Sequence, residues 1–294
     1  MAIKIYTKEY AGLLQDIFEV KQHFLNTFGG SLQVTDGISN KDNFLELKVS
    51  DTDVVIQEYS LDPNIGFGTG TGSSNRFGER KEIISTDIQV PYEKPLAIHE
   101  GVDNYSVNDN ADQVIQERTA LHAEAWIDYI NNFLSEALLK NAGGTLKATA
   151  IMDAFNEGYK TFINNKVSQS VGWTAYVTAD VYNAIIDHEL TTTGKNSGVD
   201  IDSNTGEMLK GFKLEVLADE YFGTSKKNII LAADNVGVAG VGIETYRLID
   251  SEDFDGVAIQ GAGKYGKYIP EKNKKAILVG NLSTTPVTDT EVGA

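Results

Sequence analysis

The sequence NADQVIQERTALHAEAWIDYINNFLSEALLKNAGG, residues 110–144, has the hydrophobic pattern of one long amphipathic helix. Asn110 is a suitable N-cap, and Lys140 ahead of the pair Gly143 and Gly144 is typical of a helix end. At 1.5 Å per residue the helix would be about 45 Å long, which is more than most globular domains need. We therefore predict a spine helix over residues 110–141. Its apolar face recurs at steps of three and four residues and includes Ile115, His122, Trp126, Ile130, Phe133 and Leu138, whereas Glu124, Asp128, Asn131 and Asn132 are assigned to the polar face.

Composition and charge narrow the possible function classes. The 294 residues are 41% hydrophobic, which is enough apolar material for a packed core. Acidic residues outnumber basic ones by 42 to 25, and the net charge of −17 argues against a surface that coats nucleic acid. The chain has no cysteine, which excludes disulfides, thiolate metal sites and cysteine catalysis. No apolar run approaches the roughly 18 residues of a membrane span, and residues 1–10 lack the apolar core of a signal peptide, so we expect a soluble protein.

The chain ahead of the spine begins with a helical pattern and continues with strand patterns. Residues 7–28 have helical periodicity and end at Gly29 and Gly30, which predicts an amphipathic helix. Residues 44–49 alternate between apolar and polar side chains, which predicts a strand. Residues 54–59 and 82–90 are also strand-like, and they flank a run rich in glycine, serine and threonine. This pattern predicts a two-stranded arm.

The tip of the predicted arm should be mobile, because its small residues bury little apolar area against their ordering entropy. An isolated two-stranded hairpin is marginal in water, so we expect the arm to rest on another subunit. The residues that we assign to this intersubunit tip are Gly66, Phe67, Gly68, Gly70, Gly72, Arg76, Phe77 and Gly78.

The chain after the spine mixes short helices and strands. A helix is predicted at residues 149–164, and a strand at residues 173–177 precedes a capped helix at residues 178–190. Because strands and helices do not alternate regularly, the predicted fold class is α+β and not a doubly wound sheet. Further short strands are predicted at residues 213–217, 228–232, 236–241, 246–249, 256–259 and 275–279.

One glycine motif is similar to a nucleotide-binding loop. Gly261, Gly263 and Gly266 spell G-x-G-x-x-G, and Lys267 brings the stretch close to a phosphate loop. However, Tyr268 stands where a magnesium-binding hydroxyl is needed, and Pro270 follows where a phosphate-binding helix must begin. We interpret the motif as a bend in a strand that glycine permits.

The remaining motifs do not predict a metal, a cofactor or a catalytic residue. Asp200, Asp202 and Asn204 resemble the start of a calcium loop, but Gly211 occupies the position of the bidentate glutamate. The four histidines lie far apart without metal-ligand spacing, and no G-x-S-x-G elbow is present, although a dispersed catalytic triad stays open. His122 falls on the apolar face of the spine, where a satisfied, partly buried side chain is expected.

Taken in order, these elements resemble the major capsid protein of tailed bacteriophages, which has the Hong Kong 97-type fold. An N-terminal arm, an extended hairpin and a short segment at residues 98–107 come before the spine helix. The strand and helix at residues 173–186 resemble the start of that family's axial domain, and residues 206–217 resemble a later glycine-led strand. The resemblance rests on element order and covers nearly the whole chain.

The resemblance implies a division of the chain into the family's domains. Residues 1–52 would be an N-terminal arm that reaches across another subunit, and residues 53–97 would be the extended hairpin called the E-loop. Residues 98–170 and 262–294 would form the peripheral domain with the spine helix, and residues 171–261 the axial domain.

The resemblance also implies a structural protein of the virion and not an enzyme. Such a subunit forms homo-pentamers and homo-hexamers of an icosahedral capsid, assembled in the host cytoplasm, that encloses double-stranded DNA without sequence-specific binding. Its expected partners are other copies of itself, a portal and a separate scaffolding protein, with no membrane and no cofactor. Some members cross-link a lysine of the hairpin, but the tip here carries Arg76 and no lysine, so this chemistry is not expected.

Two other classes remain as alternatives. Another structural protein of the virion, such as a phage tail protein, would share the acidic, cysteine-free composition but would consist mostly of strands and lack the long spine. A nucleotide-binding enzyme is supported only by the incomplete loop at Gly261.

Overall fold

A computed structural model of the chain describes residues 22–34, 42–50, 52–62, 76–104, 111–187, 197–200, 205–224 and 226–283. The chain divides into two compact units. We call Leu45–Pro91 the arm, and Met1–Phe44 together with Tyr92–Ala294 the body. The α-helices are α1 (Ala111–Lys140), α2 (Ile151–Asn164) and α3 (Ala179–Ile186). The strands are β1 (Gln33–Val34), β2 (Asn43–Val49), β3 (Thr86–Pro91), β4 (Leu96–Asp103), β5 (Gly144–Thr145), β6 (Trp173–Thr178), β7 (Ser197–Asp200), β8 (Thr205–Leu209), β9 (Phe212–Leu217), β10 (Ile229–Ala233), β11 (Val238–Asp250), β12 (Gly256–Tyr268) and β13 (Ile277–Gly280).

Helix α1 is the predicted spine, and its ends agree with the prediction to within one residue. Asn110, the expected N-cap, lies outside the described residues. After the helix, the N–H of Gly143 donates to the carbonyls of Lys274 and Ile277 at 2.9 and 3.0 Å. A Cβ atom at position 143 would lie only 2.3 Å from the Lys274 oxygen, so this approach requires glycine. The end of the spine is thus held against the chain that leads into β13.

The spine buries one face in the body. Leu134 and Leu138 are fully buried, and Ile115 is half-buried beside the small cluster of Val102, Tyr246 and Ile259. The other residues of the predicted apolar face are also buried, namely His122, Trp126, Ile130 and Phe133.

Asn131 differs from the prediction, because it is buried although the periodicity assigned it to the polar face. Its side-chain oxygen accepts a hydrogen bond from the backbone N–H of His23 at 3.3 Å, which satisfies one polar group of the buried amide. Periodicity alone cannot reveal such a partner, since His23 lies more than a hundred residues away in the sequence.

A seven-stranded sheet has the order β5-β13-β10-β6-β9-β8-β7. Strand β6 pairs antiparallel with β10 and parallel with β9. Every residue of β6 and β10 is buried, which explains why both sequences are nearly continuous apolar runs and not alternating ones. The Thr178 hydroxyl accepts a hydrogen bond from the N–H of Val181 and caps α3, as the predicted capped helix requires.

A four-stranded sheet has the order β1-β11-β12-β4. Strands β11 and β12 are each 13 residues long, so the separate short strands predicted at 236–241 and 246–249 are wrong. They form one strand with a register shift between Val241 and Ile243. A bulge of this kind places one unpaired residue in the strand without ending it, and Gly242 occupies that position.

The segment that precedes β1 packs into the core of its own chain. Phe24 and Phe28 are buried, and the Thr27 hydroxyl lies 2.7 Å from the hydroxyl of Tyr176 on β6. A short 3-10 helix, Asn26–Phe28, ends at Gly29 and Gly30, which both have positive φ as the predicted helix stop requires. The predicted amphipathic helix at residues 7–28 is therefore wrong over its described part, because residues 22–25 are not helical and only Asn26–Phe28 form a 3-10 helix, and residues 7–21 lie outside the described residues.

Within the described ranges, no helix combines the length and the hydropathy that crossing a membrane would require.

Candidate assembly surfaces

The arm consists of two segments of chain that are joined by a two-stranded sheet and by further hydrogen bonds between opposite residues. Strands β2 and β3 form its sheet. Further along, the N–H of Ile84 donates to the Thr52 hydroxyl at 3.3 Å, and the N–H of Ser60 donates to the Arg76 carbonyl at 3.0 Å. The Gln57 amide donates to the Glu79 carbonyl and accepts from the Glu79 N–H, at 2.9 and 3.0 Å. The paired positions are thus 52 with 84, 57 with 79 and 60 with 76. Residue numbers rise along the first segment by the same amount as they fall along the second, so the two segments run antiparallel in constant register.

The strand predictions for residues 54–59 and 82–85 are wrong in detail. These residues lie in the paired part of the arm but are not in strand conformation. The side chains of Thr52 and Gln57 bond the opposite backbone where a sheet would use the backbone itself. The composition therefore predicts the extended pairing correctly, but it does not show which groups make the hydrogen bonds.

The arm exposes large apolar side chains. Val54 and Ile56 are 93% and 95% exposed, almost as in an unfolded chain. Monomeric soluble proteins rarely expose contiguous apolar surface of this kind, and such surface marks an interaction site. Among the described residues of the arm, Leu61, Phe77, Ile83 and Ile84 are also strongly exposed.

The predicted tip is described only in part. Gly66, Phe67, Gly68, Gly70 and Gly72 lie outside the described residues. The Phe77 ring lies edge-on to the Tyr59 ring with centroids 5.1 Å apart, and the Arg76 guanidinium lies 6.0 Å from the Tyr59 centroid. Gly78 has a φ of 80°, a conformation that favours glycine. The base of the tip is therefore a small aromatic and cationic cluster.

A charged cluster joins the spine to β4. The Arg118 side chain makes a two-pronged contact with the Glu100 carboxylate, with Nε donating to Oε2 at 2.7 Å and Nη2 donating to Oε1. His122, only 4% exposed, places its Nε2 2.9 Å from the same carboxylate. The hydrogen bond from Arg118 is the main reason that the pKa of Glu100 falls to about 2, and His122 adds to it while burial opposes it. His122 is thus fully buried, where a satisfied and only partly buried side chain was expected, and its Nδ1 has no hydrogen-bond partner among the described residues.

We expect this cluster to make the protein acid-sensitive. The pKa of Glu100 is about 2 in the folded chain against an ordinary value of 4.5, so its stabilising effect is present above about pH 4.5 and is lost as the pH falls towards 2. Glu100→Gln should therefore lower the free energy of unfolding at pH 6, and the difference from wild type should shrink across that window. Urea unfolding at several pH values measures it. Glu252→Gln, in the exposed turn after β11, is the matched control, and an identical pH profile for both variants would contradict the assignment.

A groove of about 560 Å³ runs beside the second half of the spine. Lys267 lies in it, and its ammonium donates to the Phe133 carbonyl at 3.0 Å and sits 3.6 Å from a Glu136 oxygen. Burial lowers the pKa of Lys267, which Glu136 and Glu93 partly offset. The lysine of the predicted loop is therefore engaged with the spine helix.

The G-x-G-x-x-G motif is part of a strand. Gly261, Gly263 and Gly266 all lie in β12 and pair with β11, and the first two also pair with β4. The chain continues through Pro270 into a 3-10 helix, Glu271–Ala276, so the phosphate-binding arrangement of a loop followed by an α-helix is not formed. The strand interpretation is confirmed, although the strand continues through the motif where a bend was expected.

No protein-family model matches this sequence, and no curated protein matches it. Solved structures do match. A structure from Mycobacterium phage Che8 has 15% sequence identity and a TM-score of 0.63, and the match covers 89% of this chain and 91% of that one. The mature capsid of bacteriophage PhiM1 has 10% identity and a TM-score of 0.62, covering 90% and 88% of the two chains. The capsid of Cyanophage P-SCSP1u has 8% identity and a TM-score of 0.63, covering 90% and 89%.

The chain has the Hong Kong 97-type phage capsid fold. The resemblance inferred from the order of its elements is therefore confirmed for the fold, over nearly all of the chain. The sequence identities are so low that this fold is carried by the pattern of elements and not by shared residues.

The contact residues predicted for the arm lie at its glycine-rich tip and do not include Val54, Ile56, Ile83 or Ile84. The signal was present, because apolar residues here occupy consecutive positions and so point to both faces of a two-stranded structure. A hairpin with apolar side chains on both faces cannot cover them itself.

Proposed function

We propose that this protein is the major capsid protein of a tailed phage, a non-enzymatic subunit that self-assembles into the pentamers and hexamers of an icosahedral head. The observation that carries the proposal is an arm with almost fully exposed apolar residues on a body of the phage capsid fold. A subunit that leaves Val54 and Ile56 in water gains free energy when another copy covers them, at about 1.5–3 kcal/mol for each buried side chain.

The proposed domains follow the family's division. Residues 1–52 are the family's N-terminal arm, which is not the arm defined above, and residues 53–97 are the E-loop, which contains most of that arm. Residues 98–170 and 262–294 are the peripheral domain, and residues 171–261 the axial domain. In the seven-stranded sheet, β13 from the peripheral domain pairs with β10 from the axial domain. The four-stranded sheet also combines the two, since most of β4 belongs to the peripheral domain and β11 to the axial domain. In the intersubunit contact we include the tip residues at positions 66–78 and the exposed apolar residues of the arm.

The proposed partners are other copies of the chain, a separate scaffolding protein and a portal, and the proposed location is the virion after assembly in the host cytoplasm. The head would enclose double-stranded DNA without sequence-specific contacts. A net charge of −17 suits this role, because an acidic inner wall does not adhere to packaged DNA, which brings its own counterions.

Size-exclusion chromatography with negative-stain microscopy of the purified chain tests the proposal. Closed shells or ring-shaped pentamers and hexamers are expected. Tubes or stacked rings would instead support a tail protein, and a small globular oligomer at high protein concentration would contradict both.

Deleting residues 66–78 should leave a folded subunit that does not build shells, because the tip would no longer reach the neighbouring copy. Circular dichroism checks the fold, and microscopy counts the shells. Replacing the same residues by a Gly-Ser linker of equal length is the control for chain connectivity. Normal shells from the deletion variant would show that the tip makes no essential contact.

A further inference from the structure

Two aromatic residues of the body mark the points where the chain leaves for the arm and returns from it. Phe44 is the last residue of the body before the arm, and Tyr92 is the first residue after it. Their rings are 5.7 Å apart, and Phe44 is only 3% exposed. The N–H of Tyr92 donates to the Asp42 carbonyl at 3.1 Å, and the N–H of Glu93 donates to the Tyr265 carbonyl at 2.9 Å. The two ends are thus tied to each other and to β12.

The Phe44 ring occupies a space that two glycines leave open. Gly240 on β11 and Gly266 on β12 are direct cross-strand partners. A Cβ atom at Gly266 would lie 2.3 Å from Cγ of Phe44. One at Gly240 would lie 2.3 Å from the carbonyl oxygen of Gln33 on β1 and 2.6 Å from Cε2 of Phe44, so this glycine leaves room for both. An aromatic ring over a glycine pair covers the exposed backbone that small residues leave in a sheet.

The Tyr92 ring occupies a second space of the same kind. A Cβ atom at Gly242, the bulge position of β11, would lie 2.6 Å from Cε1 of Tyr92. The Lys264 ammonium lies 4.2 Å from the Tyr92 ring centroid, at a distance where a cation is attracted to the ring. We call Gly240, Gly242 and Gly266 the glycine notch.

The glycines of the notch are needed for space and not for backbone conformation. None of the three has a positive φ, so an alanine could adopt the same backbone geometry at each position. The added methyl of an alanine would overlap the ring that lies over each position, and at Gly240 it would also overlap the carbonyl oxygen of Gln33. The three glycines, on two neighbouring strands, thus leave room for the rings of Phe44 and Tyr92, which stand next to the two ends of the arm.

We propose that the glycine notch, filled by Phe44 and Tyr92, is the anchor that positions the root of the arm for assembly. The inference rests on the proposed function, because it treats the arm as the assembly element. Phe44 and Tyr92, which stand next to the two ends of the arm, both pack on β11 or β12 of the four-stranded sheet, so the anchor lies entirely within the body. Phe44 and Tyr92 are positioning residues, since they act through the arm.

A single cysteine label tests the anchor directly, because the chain has no cysteine of its own. Ile56→Cys carries a spin label on the arm, and Met208→Cys carries the same label on the body as a reference. Each is combined with Phe44→Leu or with Tyr92→Leu, which keep an apolar side chain but withdraw the ring. Tyr159→Leu, which withdraws a partly exposed ring of α2 that packs on Trp173, is the matched control and should leave both labels unchanged. Circular dichroism establishes that each labelled subunit is folded before its spectrum is compared.

Withdrawal of either ring should increase the motional amplitude of the arm label and leave the body label unchanged. If the assembly-competent orientation falls to about a tenth of its population, the concentration needed for assembly rises about tenfold. Unchanged arm mobility in folded Phe44→Leu and Tyr92→Leu subunits would overturn the anchor. Because mobility is measured on unassembled subunits, a wild-type chain that never assembles would contradict the proposed function without deciding the anchor.

Discussion

The double variant Val54→Asp, Ile56→Asp is expected to remain folded and to lose assembly completely. Both side chains are more than nine-tenths exposed, and substitutions at such positions change the free energy of unfolding by no more than about 0.5 kcal/mol. In the assembled state the same positions would lie against another copy. Each change would then remove about 1.5–3 kcal/mol of apolar burial and add the desolvation of an unpaired carboxylate. Because a shell repeats every contact many times, such a loss at each contact prevents closure.

Thermal unfolding and microscopy together measure this prediction. The double variant should unfold at nearly the wild-type temperature and yield only unassembled subunits. Glu58→Gln, on the same segment and also exposed, changes one charge without affecting the apolar surface and should assemble normally. Shells from the aspartate variant would show that the exposed apolar surface of the arm does not take part in assembly.

Gly266→Ala is expected to destabilise the body strongly, whereas Gly261→Ala in the same motif should be tolerated. At position 266 the added methyl would lie within 2.3 Å of the buried Phe44 ring, and overpacking of this kind costs about 1–3 kcal/mol. At position 261 the nearest atoms, Nε1 of Trp126 and Cδ2 of Tyr246, would be 3.7 Å away, which is an ordinary contact. Alanine there also restricts the unfolded chain, so that Gly261→Ala should be neutral or stabilising by up to about 1 kcal/mol.

The two alanine variants are matched, because both positions lie in β12 and belong to one G-x-G-x-x-G motif. The melting temperature should fall by several degrees for Gly266→Ala and should stay level or rise for Gly261→Ala. Combining Gly266→Ala with Phe44→Leu should recover part of the loss, since the smaller side chain vacates the space. Equal effects of the two alanines would show that the glycines serve the strand in some other way.

The spine and the central strands could be predicted from sequence because their signals are local. Helix α1 has a regular apolar face and an end marked by Lys140 and glycine, all within one stretch of chain. Strands β6 and β10 are short apolar runs flanked by residues that favour turns. The order of such elements was sufficient to predict the phage capsid fold without any matching sequence.

Other features could not be predicted because they depend on contacts between distant residues. The buried amide of Asn131 accepts a hydrogen bond from the backbone of His23, which is far away in the sequence. Strand β11 continues as one strand through the bulge at Gly242, because it remains paired with β12 on both sides of the bulge. The candidate site was predicted only in part for the same reason. The sequence indicated a hairpin that needs a partner, but the exposure of Val54 and Ile56 becomes evident only in the folded arm, where the described residues leave both side chains in water.

The sequence by itself determined the length and face of the spine, the α+β class and the presence of an arm, because periodicity and turn residues act within a few positions. Only the tertiary structure decided what the glycines of β11 and β12 are for. The same G-x-G-x-x-G spelling suits a phosphate loop or a crowded strand, and the choice is made by the Phe44 ring that lies over Gly266. The sequence shows only that a glycine has no side chain. Which neighbouring group fills the space above it depends on packing between residues that are far apart in the chain.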